Sequence, residues 1–220
     1  PLTAPTFCMV LRKHIANGRI TRIYQPHMER IINMEIEHLN EMGDLCHKTL
    51  IIELMGKHSN IIFCDDKGMI IDSIKHVSSA VSSLREVLPG KDYFIPATQE
   101  DKYNPLTTPA DQIHEIIASK PLTVAKAIYT TFTGVSPLIA SEIAYRAGLD
   151  GDQSLASYSK EQLLHLSNHI AWFFDDIRAD KYHPVIVRKG RQPLEFSAVD
   201  LTMYHDYEVE SYDSISQVLE

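Results

Sequence analysis

Cysteine is scarce in this sequence. Cys8, Cys46 and Cys64 are the only three in 220 residues, and no two form a CxxC pair. A structural zinc site draws on two close pairs and a disulfide scaffold on an even set, so neither organises this chain. Three scattered thiols suit a reducing compartment, and a cytoplasmic location is expected. No stretch approaches the length of uncharged apolar residues that a membrane-spanning helix needs, so no membrane partner is expected. The opening Pro1-Leu2-Thr3-Ala4-Pro5 lacks the basic start of a signal peptide and a starting Met, so a fragment or processed product is expected. Gly (9) and Pro (11) are near ordinary use, which excludes collagen-like and low-complexity chains. The motifs GxxxxGK[ST], HExxH and GxSxG are absent. No metal or cofactor is expected, and nothing reads as a catalytic centre, so a binding protein is expected and not an enzyme.

What is present is an uneven charge. The formal net charge is -8, which argues against non-specific nucleic-acid binding by the whole chain. Residues 1–34 nevertheless carry Arg12, Lys13, Arg19, Arg22 and Arg30 against Glu29 alone. After Arg191 there is no Lys or Arg, while seven carboxylates follow. One end of the chain suits phosphates and the other should repel them.

The apolar periodicity predicts a helix over Thr6–Ala16, capped by Thr6 and stopped by Asn17-Gly18. Alternating or β-branched runs predict strands at Arg19–Gln25, Arg30–Glu37, Leu50–Met55, Asn60–Cys64 and Met69–Ile74, the last two joined by an Asp65-Asp66-Lys67-Gly68 turn. This is a meander of short antiparallel strands, expected as part of a sandwich or barrel. Leu88-Pro89-Gly90 is a turn before an irregular stretch, Tyr93–Pro109. Helices are predicted from Pro109 to about Ser119 and over Thr123–Phe132, Pro137–Ala147 and Lys160–Asp180. Strands at Pro184–Val187 and Pro193–Phe196 flank a Lys189-Gly190-Arg191 turn, and Ser214–Glu220 reads as a helix start. The order predicts an α+β fold in three segments: a β-rich domain over 1–100, a helical region over 101–182 and a returning β segment over 183–220.

Three local motifs carry chemistry. Thr133-Gly134-Val135-Ser136-Pro137 sits between two helices and resembles a helix-hairpin-helix. Gly allows the tight turn and Pro opens the next helix, so Gly134, Val135 and Ser136 form a candidate phosphate contact. A plain αα-hairpin is the structural alternative. Met28-Glu29-Arg30 lies between two strands. An Arg can make paired contacts to phosphate or a guanine edge, with the adjacent carboxylate orienting it; an exposed ion pair is the alternative. Gly56-Lys57-His58-Ser59-Asn60 is a tight connection bearing a cation and an imidazole, or a turn with incidental polar residues. The candidate nucleic-acid contacts are therefore Arg12, Lys13, Arg19, Arg22, Glu29, Arg30, Lys57 and His58. His165 and His169 share a helical face, but nothing nearby completes a metal site, and Asp175-Asp176 suits a solvated face.

Together these segments resemble the NFACT-N domain, the N-terminal region of bacterial proteins labelled fibronectin-binding protein A or RqcH. The resemblance rests on Phe7-Cys8-Met9-Val10-Leu11-Arg12-Lys13-His14-Ile15, Gly18-Arg19-Ile20, Glu53–Ile62, Leu88-Pro89-Gly90 with Tyr93, Thr133–Pro137 and Pro193–Leu201. It implies a β-rich unit like the N-terminal domain of formamidopyrimidine-type DNA glycosylases, followed by the helix-hairpin-helix. It also implies a missing first β segment and a coiled coil after Val218-Leu219-Glu220. In function it implies ribosome-associated quality control: binding of a large ribosomal subunit that carries a stalled nascent chain, and recruitment of tRNA (alanyl-tRNA in bacteria) for untemplated C-terminal tailing. A family Asp-Arg pair that contacts tRNA maps onto Glu29-Arg30. Arg30 matches, and Glu29 departs by one methylene.

Two other classes follow from the same resemblance. One is a surface adhesin that binds fibronectin, which the older label suggests. The other is a DNA-repair glycosylase; those enzymes use an N-terminal proline followed by glutamate, whereas Leu2 follows Pro1 here.

Overall fold

The computed structural model describes residues 2–96 and 102–220 and divides into two compact units, 1–100 and 101–220. The expected boundary at 100/101, within the irregular Tyr93–Pro109 stretch, and Pro1 lie outside the described residues. The fold is α+β. Segment 183–220 belongs to the same compact unit as the helices before it.

In the first unit, helix α1 (Thr6–Ile15) leads into a five-stranded antiparallel sheet, β1 (Arg19–Tyr24), β2 (Ile31–Leu39), β3 (Leu45–Glu53), β4 (Asn60–Cys64) and β5 (Ile70–Ser73), in that order. Thr6 does not cap α1: Pro5 occupies the N-cap position, with no side-chain hydrogen bond. The stop is as expected, with Asn17 in the left-handed region at φ 63° and Gly18 N–H donating to Ile15 O at 2.9 Å. A β-carbon on Gly18 would lie 2.9 Å from Ile36 Cγ2 and 3.0 Å from Glu37 O, so the helix meets β2 where only glycine fits.

Neighbouring residues of a strand point to opposite faces, and β4 shows the consequence. Ile62 and Cys64 join Ile31, Ile51 and Ile70 in a core roofed by Val77, Val87, Tyr93 and Ile95. Phe63 points the other way and receives the ring of His14 edge-on, centroids 5.8 Å apart. The sheet is thus covered by a helix on one face and by a strap of chain, residues 75–95, on the other, where part of a sandwich or barrel was expected. Strand β3 starts five residues before its predicted start. His47, Lys48 and Thr49 hide it in the sequence, yet every residue of β2 pairs with β3.

The strap is fastened by a buried acid. Glu53, 1% exposed at the end of β3, accepts from an Arg85 guanidinium nitrogen and, at 2.9 Å, from the Tyr93 hydroxyl. Arg85 also donates to Phe94 O at 2.7 Å.

The second unit contains α2 (Ala110–Ile117), α3 (Val124–Thr131), α4 (Pro137–Arg146), α5 (Lys160–Arg178), β6 (Val185–Lys189), β7 (Gln192–Ser197), β8 (Glu208–Ser211) and α6 (Ile215–Leu219). Ile117, Val124, Ile128, Phe132, Ile143, Leu166, Ile170 and Phe174 form its core. Helix α5 begins with a reciprocal cap: Ser159 Oγ accepts from Gln162 N–H, and Gln162 Oε1 accepts from Ser159 N–H. The small sheet runs β7-β6-β8. Strand β8 was not predicted, because Glu208-Val209-Glu210-Ser211 has one apolar residue. It is held by its ladder to β6 and by Arg188 Nε on Glu210 Oε2 at 2.8 Å.

A second buried acid joins α4 to the returning segment. Glu142 is 0% exposed. Its carboxylate accepts from Arg146 Nε, Thr202 Oγ1 and Met203 N–H, each at 2.8 Å. Arg146 also donates to Asp200 O at 2.7 Å.

Candidate nucleic-acid interface

The meander decides which candidate residues meet. Ile31 pairs with Glu53, and Glu53 with Asn60, so the end of β1, the start of β2, the end of β3, the start of β4 and the end of β5 share one end of the sheet. The β1–β2 connection carries Glu29 and Arg30 there, and the β3–β4 connection carries Lys57 and His58. Leu54 N–H donates to Arg30 O at 2.9 Å, which ties the two connections together.

Each connection is shaped locally. In the first, Gln25 Nε2 donates to Glu29 O at 2.6 Å, and Glu29 N–H donates to Pro26 O at 3.2 Å. Arg30 is exposed and Glu29 half-buried. In the second, Gly56 takes the left-handed φ of 56° and opens a single 3-10 turn, Gly56–His58. Ser59 Oγ accepts from Met55 N–H at 3.0 Å. Asn60 is buried, and its side chain donates to Lys75 O at 2.9 Å and accepts from Lys75 N–H at 3.0 Å. Ser59 and Asn60 thus hold the turn, while Lys57 and His58 face solvent.

The other candidates are placed elsewhere. Arg19 begins β1 at the opposite end and contacts Glu37 at 2.9 Å. Arg22 lies 3.9 Å from Glu35 and stacks over Tyr24 with its guanidinium carbon 4.0 Å from the ring centroid. The positive count of residues 1–34 is therefore offset in space by two carboxylates just beyond that window. Arg12 and Lys13 are exposed in the last turn of α1, where cations also complement the helix dipole. The structure adds two positions that sequence reasoning missed, the ammonium of Lys75 and the imidazole of His76. They follow β5 at the Arg30 end, and no local pattern marks them.

Beneath α1 lies a cluster of basic groups. Lys48 Nζ is 3.1 Å from His38 Nε2, and His38 is 7% exposed. Burial, then Lys48, Lys13 and His38, hold the His14 imidazole below its ordinary 6.5. Between that lowered value and 6.5 the unfolded chain binds more protons than the native state. His14 therefore costs no stability above 6.5 and destabilises progressively as pH falls through the window beneath. Thermal melts of the first unit should show a decline starting near 6.5, and His14→Gln should flatten it. Equal slopes in both proteins would contradict this assignment.

In the second unit Gly134 takes φ 80°, and Ser136 caps α4 by accepting from Ile139 N–H at 3.2 Å. Val135 is buried in the helical core. The serine hydroxyl thus serves the helix, and Gly134 and Ser136 are exposed on either side of buried Val135. His165 and His169 meet edge to face at 4.6 Å. Among the described residues no group of His, Cys, Asp and Glu is arranged to hold a metal ion, and no helix is long and apolar enough to cross a membrane. Burial, with Asp65 and Glu53 nearby, pushes the Cys64 thiol up to about 12, which suits a packing role and not a nucleophile.

Residues 1–220 match the family model described as the NFACT N-terminal and middle domains. The chain is 37% identical over 221 residues to the Rqc2 homolog RqcH of Bacillus subtilis, covering 100% of this chain and 36% of that protein. It thus spans little more than a third of that relative's length. Among solved structures it is similar to the fibrinogen binding protein from Staphylococcus aureus, with a TM-score of 0.77 and 29% identity over 99% of this chain and 74% of that one. It is also similar to the N-terminal part of the fibronectin/fibrinogen-binding protein from Streptococcus suis, with a TM-score of 0.71 and 29% identity over 100% and 72%.

Proposed function

The chain belongs to the NFACT family, and from that premise we propose that it is the RNA-binding module of a ribosome-associated quality-control factor. In this reading it works in the cytoplasm by binding and not by catalysis. It recruits tRNA, alanyl-tRNA in a bacterium, to a large ribosomal subunit carrying a stalled nascent chain, for untemplated C-terminal tailing. The β-rich unit is a glycosylase-like domain used to hold RNA. The observation that carries the proposal is the meeting of Arg30, Lys57 and His58 at one end of the sheet. Arg30 and Lys57 present their cations and His58 its imidazole to solvent there, while Glu53, an acid at the end of β3, is buried against Arg85 and Tyr93. Arg30 supplies the directional contact, because a guanidinium makes paired hydrogen bonds to phosphate or to a base edge.

The test is ribosome co-sedimentation of the protein, wild type beside Arg30→Ala, with bound tRNA sequenced. Wild type should sediment with large subunits and one dominant tRNA. Arg30→Ala should lose on the order of 1–3 kcal/mol of tRNA affinity, about 5- to 150-fold, and relax the selectivity. Subunit binding without tRNA enrichment, also in Glu29→Asp, would show that this chain does not recruit tRNA. The names of the two similar structures favour a second reading, an adhesin for fibrinogen or fibronectin. Saturable binding of the protein to immobilised fibrinogen, with no ribosome association, would replace the first reading with the second.

A further inference from the structure

The end of the sheet that carries Arg30 continues past the β3–β4 turn to the exit of β5. Asn60 binds the backbone of Lys75 through both its amide nitrogen and its oxygen. Ser73 Oγ also donates to Lys75 O at 2.9 Å. The Lys75 ammonium donates to Lys57 O at 3.2 Å, which lays its side chain along the Lys57 turn. Lys57 and Lys75 are both exposed. The next residue, His76, is held by a buried acid. Asp72 is 7% exposed, and its Oδ1 accepts from His76 Nε2 at 2.7 Å. The His76 side chain is 53% exposed. This bond assigns Nε2 as the inward donor and leaves Nδ1 as the second polar atom of the ring.

The opposite end of the same sheet differs in its turns. Its two connections carry Glu41, Asp44, Asp65 and Asp66 against Lys67, and Arg19, which starts β1 there, is paired with Glu37. The connections therefore differ in sign, with Arg30, Lys57 and Lys75 at one end of the sheet and mainly carboxylates in the turns at the other. Three further acids lie near the Arg30 end besides buried Asp72, of which Glu53 is buried against Arg85 and Tyr93. Glu29 adjoins Arg30. Glu86, next to the Val87 that bridges to Val77, is paired with Lys91 at 3.2 Å.

We propose that Lys75 and His76, with Lys57, form a ledge that grips the sugar-phosphate backbone of RNA beside the Arg30 contact. This rests on the reading of the chain as an RNA-binding module and adds a division of labour to it. Arg30 selects, whereas the ledge holds without selecting. A lysine ammonium is a point charge that suits phosphate and carries no base information. His76 Nδ1 fits the same backbone in either protonation state, accepting from a ribose 2′-hydroxyl when neutral and donating to phosphate when charged.

The experiment is tRNA binding by the protein, followed by fluorescence anisotropy over a range of salt concentrations with two unrelated tRNAs. Lys75→Ala should weaken both tRNAs by the same factor and reduce the salt slope by about one. His76→Ala should also weaken both equally. Lys75→Arg should restore affinity and slope, which a folding defect would not allow. Lys67→Ala, at the other end of the sheet, is the control for bulk charge. If Lys75→Ala and Lys67→Ala behave alike while Arg30→Ala loses binding, the ledge is wrong and the RNA-binding reading stands. If Lys75→Ala discriminates between the two tRNAs, the backbone role is wrong. If wild type binds neither tRNA and no ribosome, the reading beneath the ledge fails with it.

Discussion

Glu53→Ala is expected to destabilise the first unit by about 3–5 kcal/mol, because it leaves a buried cation without its partner. The Arg85 side chain is 11% exposed and would face a vacated site. The Tyr93 hydroxyl would lose its acceptor in the same step. Far-UV circular dichroism during denaturation should show the loss as a lowered midpoint with an unchanged slope. The effect should be largest in the strap, so hydrogen exchange should rise first between residues 75 and 95. Because that strap begins with Lys75 and His76, the same variant should also weaken RNA binding under conditions where the sheet itself remains folded. A change in stability below about 1 kcal/mol would place the pair among ordinary surface ion pairs.

Glu142→Ala is expected to cost the second unit a similar amount. Three donors converge on that buried carboxylate and would lose their acceptor together. The variant should release the segment around Thr202 from α4 before the helices separate. The chain has one tryptophan, Trp172 on α5, so its fluorescence reports this unit alone. A paired replacement, Glu142→Leu with Arg146→Met, should recover most of the loss, since well-packed apolar residues often substitute for a buried ion pair at little cost. Failure to recover would point to the Asp200 carbonyl, which Arg146 also satisfies, as the dominant partner.

How much of this was legible in the sequence depended on how locally each feature is specified. Strand β4 was read to the residue, because Asn60–Cys64 is a compact β-branched run bounded by polar turns. The helices are legible within a few residues at each end, because their apolar spacing lies in short windows. Strand β8 was missed because its stability comes from a ladder to β6 and a cross-strand Arg188–Glu210 pair, both non-local. The same distinction governs the candidate interface. Arg30, Lys57 and His58 stood out as cations or imidazoles in tight connections, and the meander placed them together. Lys75 and His76 carried no signal, since their position follows from a side-chain tie to Asn60 fifteen residues earlier. Arg19 and Arg22 looked available on composition, but pairing register sets Glu37 and Glu35 across from them. Neither buried acid was singled out, because a glutamate in a strand or an amphipathic helix reads as solvent-facing until its partners are known.

The strand order of the first unit also bears on how quickly it can form. Each of the five strands is hydrogen-bonded only to the strand before or after it in the chain. Closing each hairpin links residues a short distance apart, so the entropy lost before the first contacts form is small. A sheet assembled from such neighbouring pairings has low contact order and belongs among the faster-folding β topologies. It can be built strand by strand as the polypeptide is synthesised, whereas β6 must wait for β8, beyond the intervening β7, to complete its ladder.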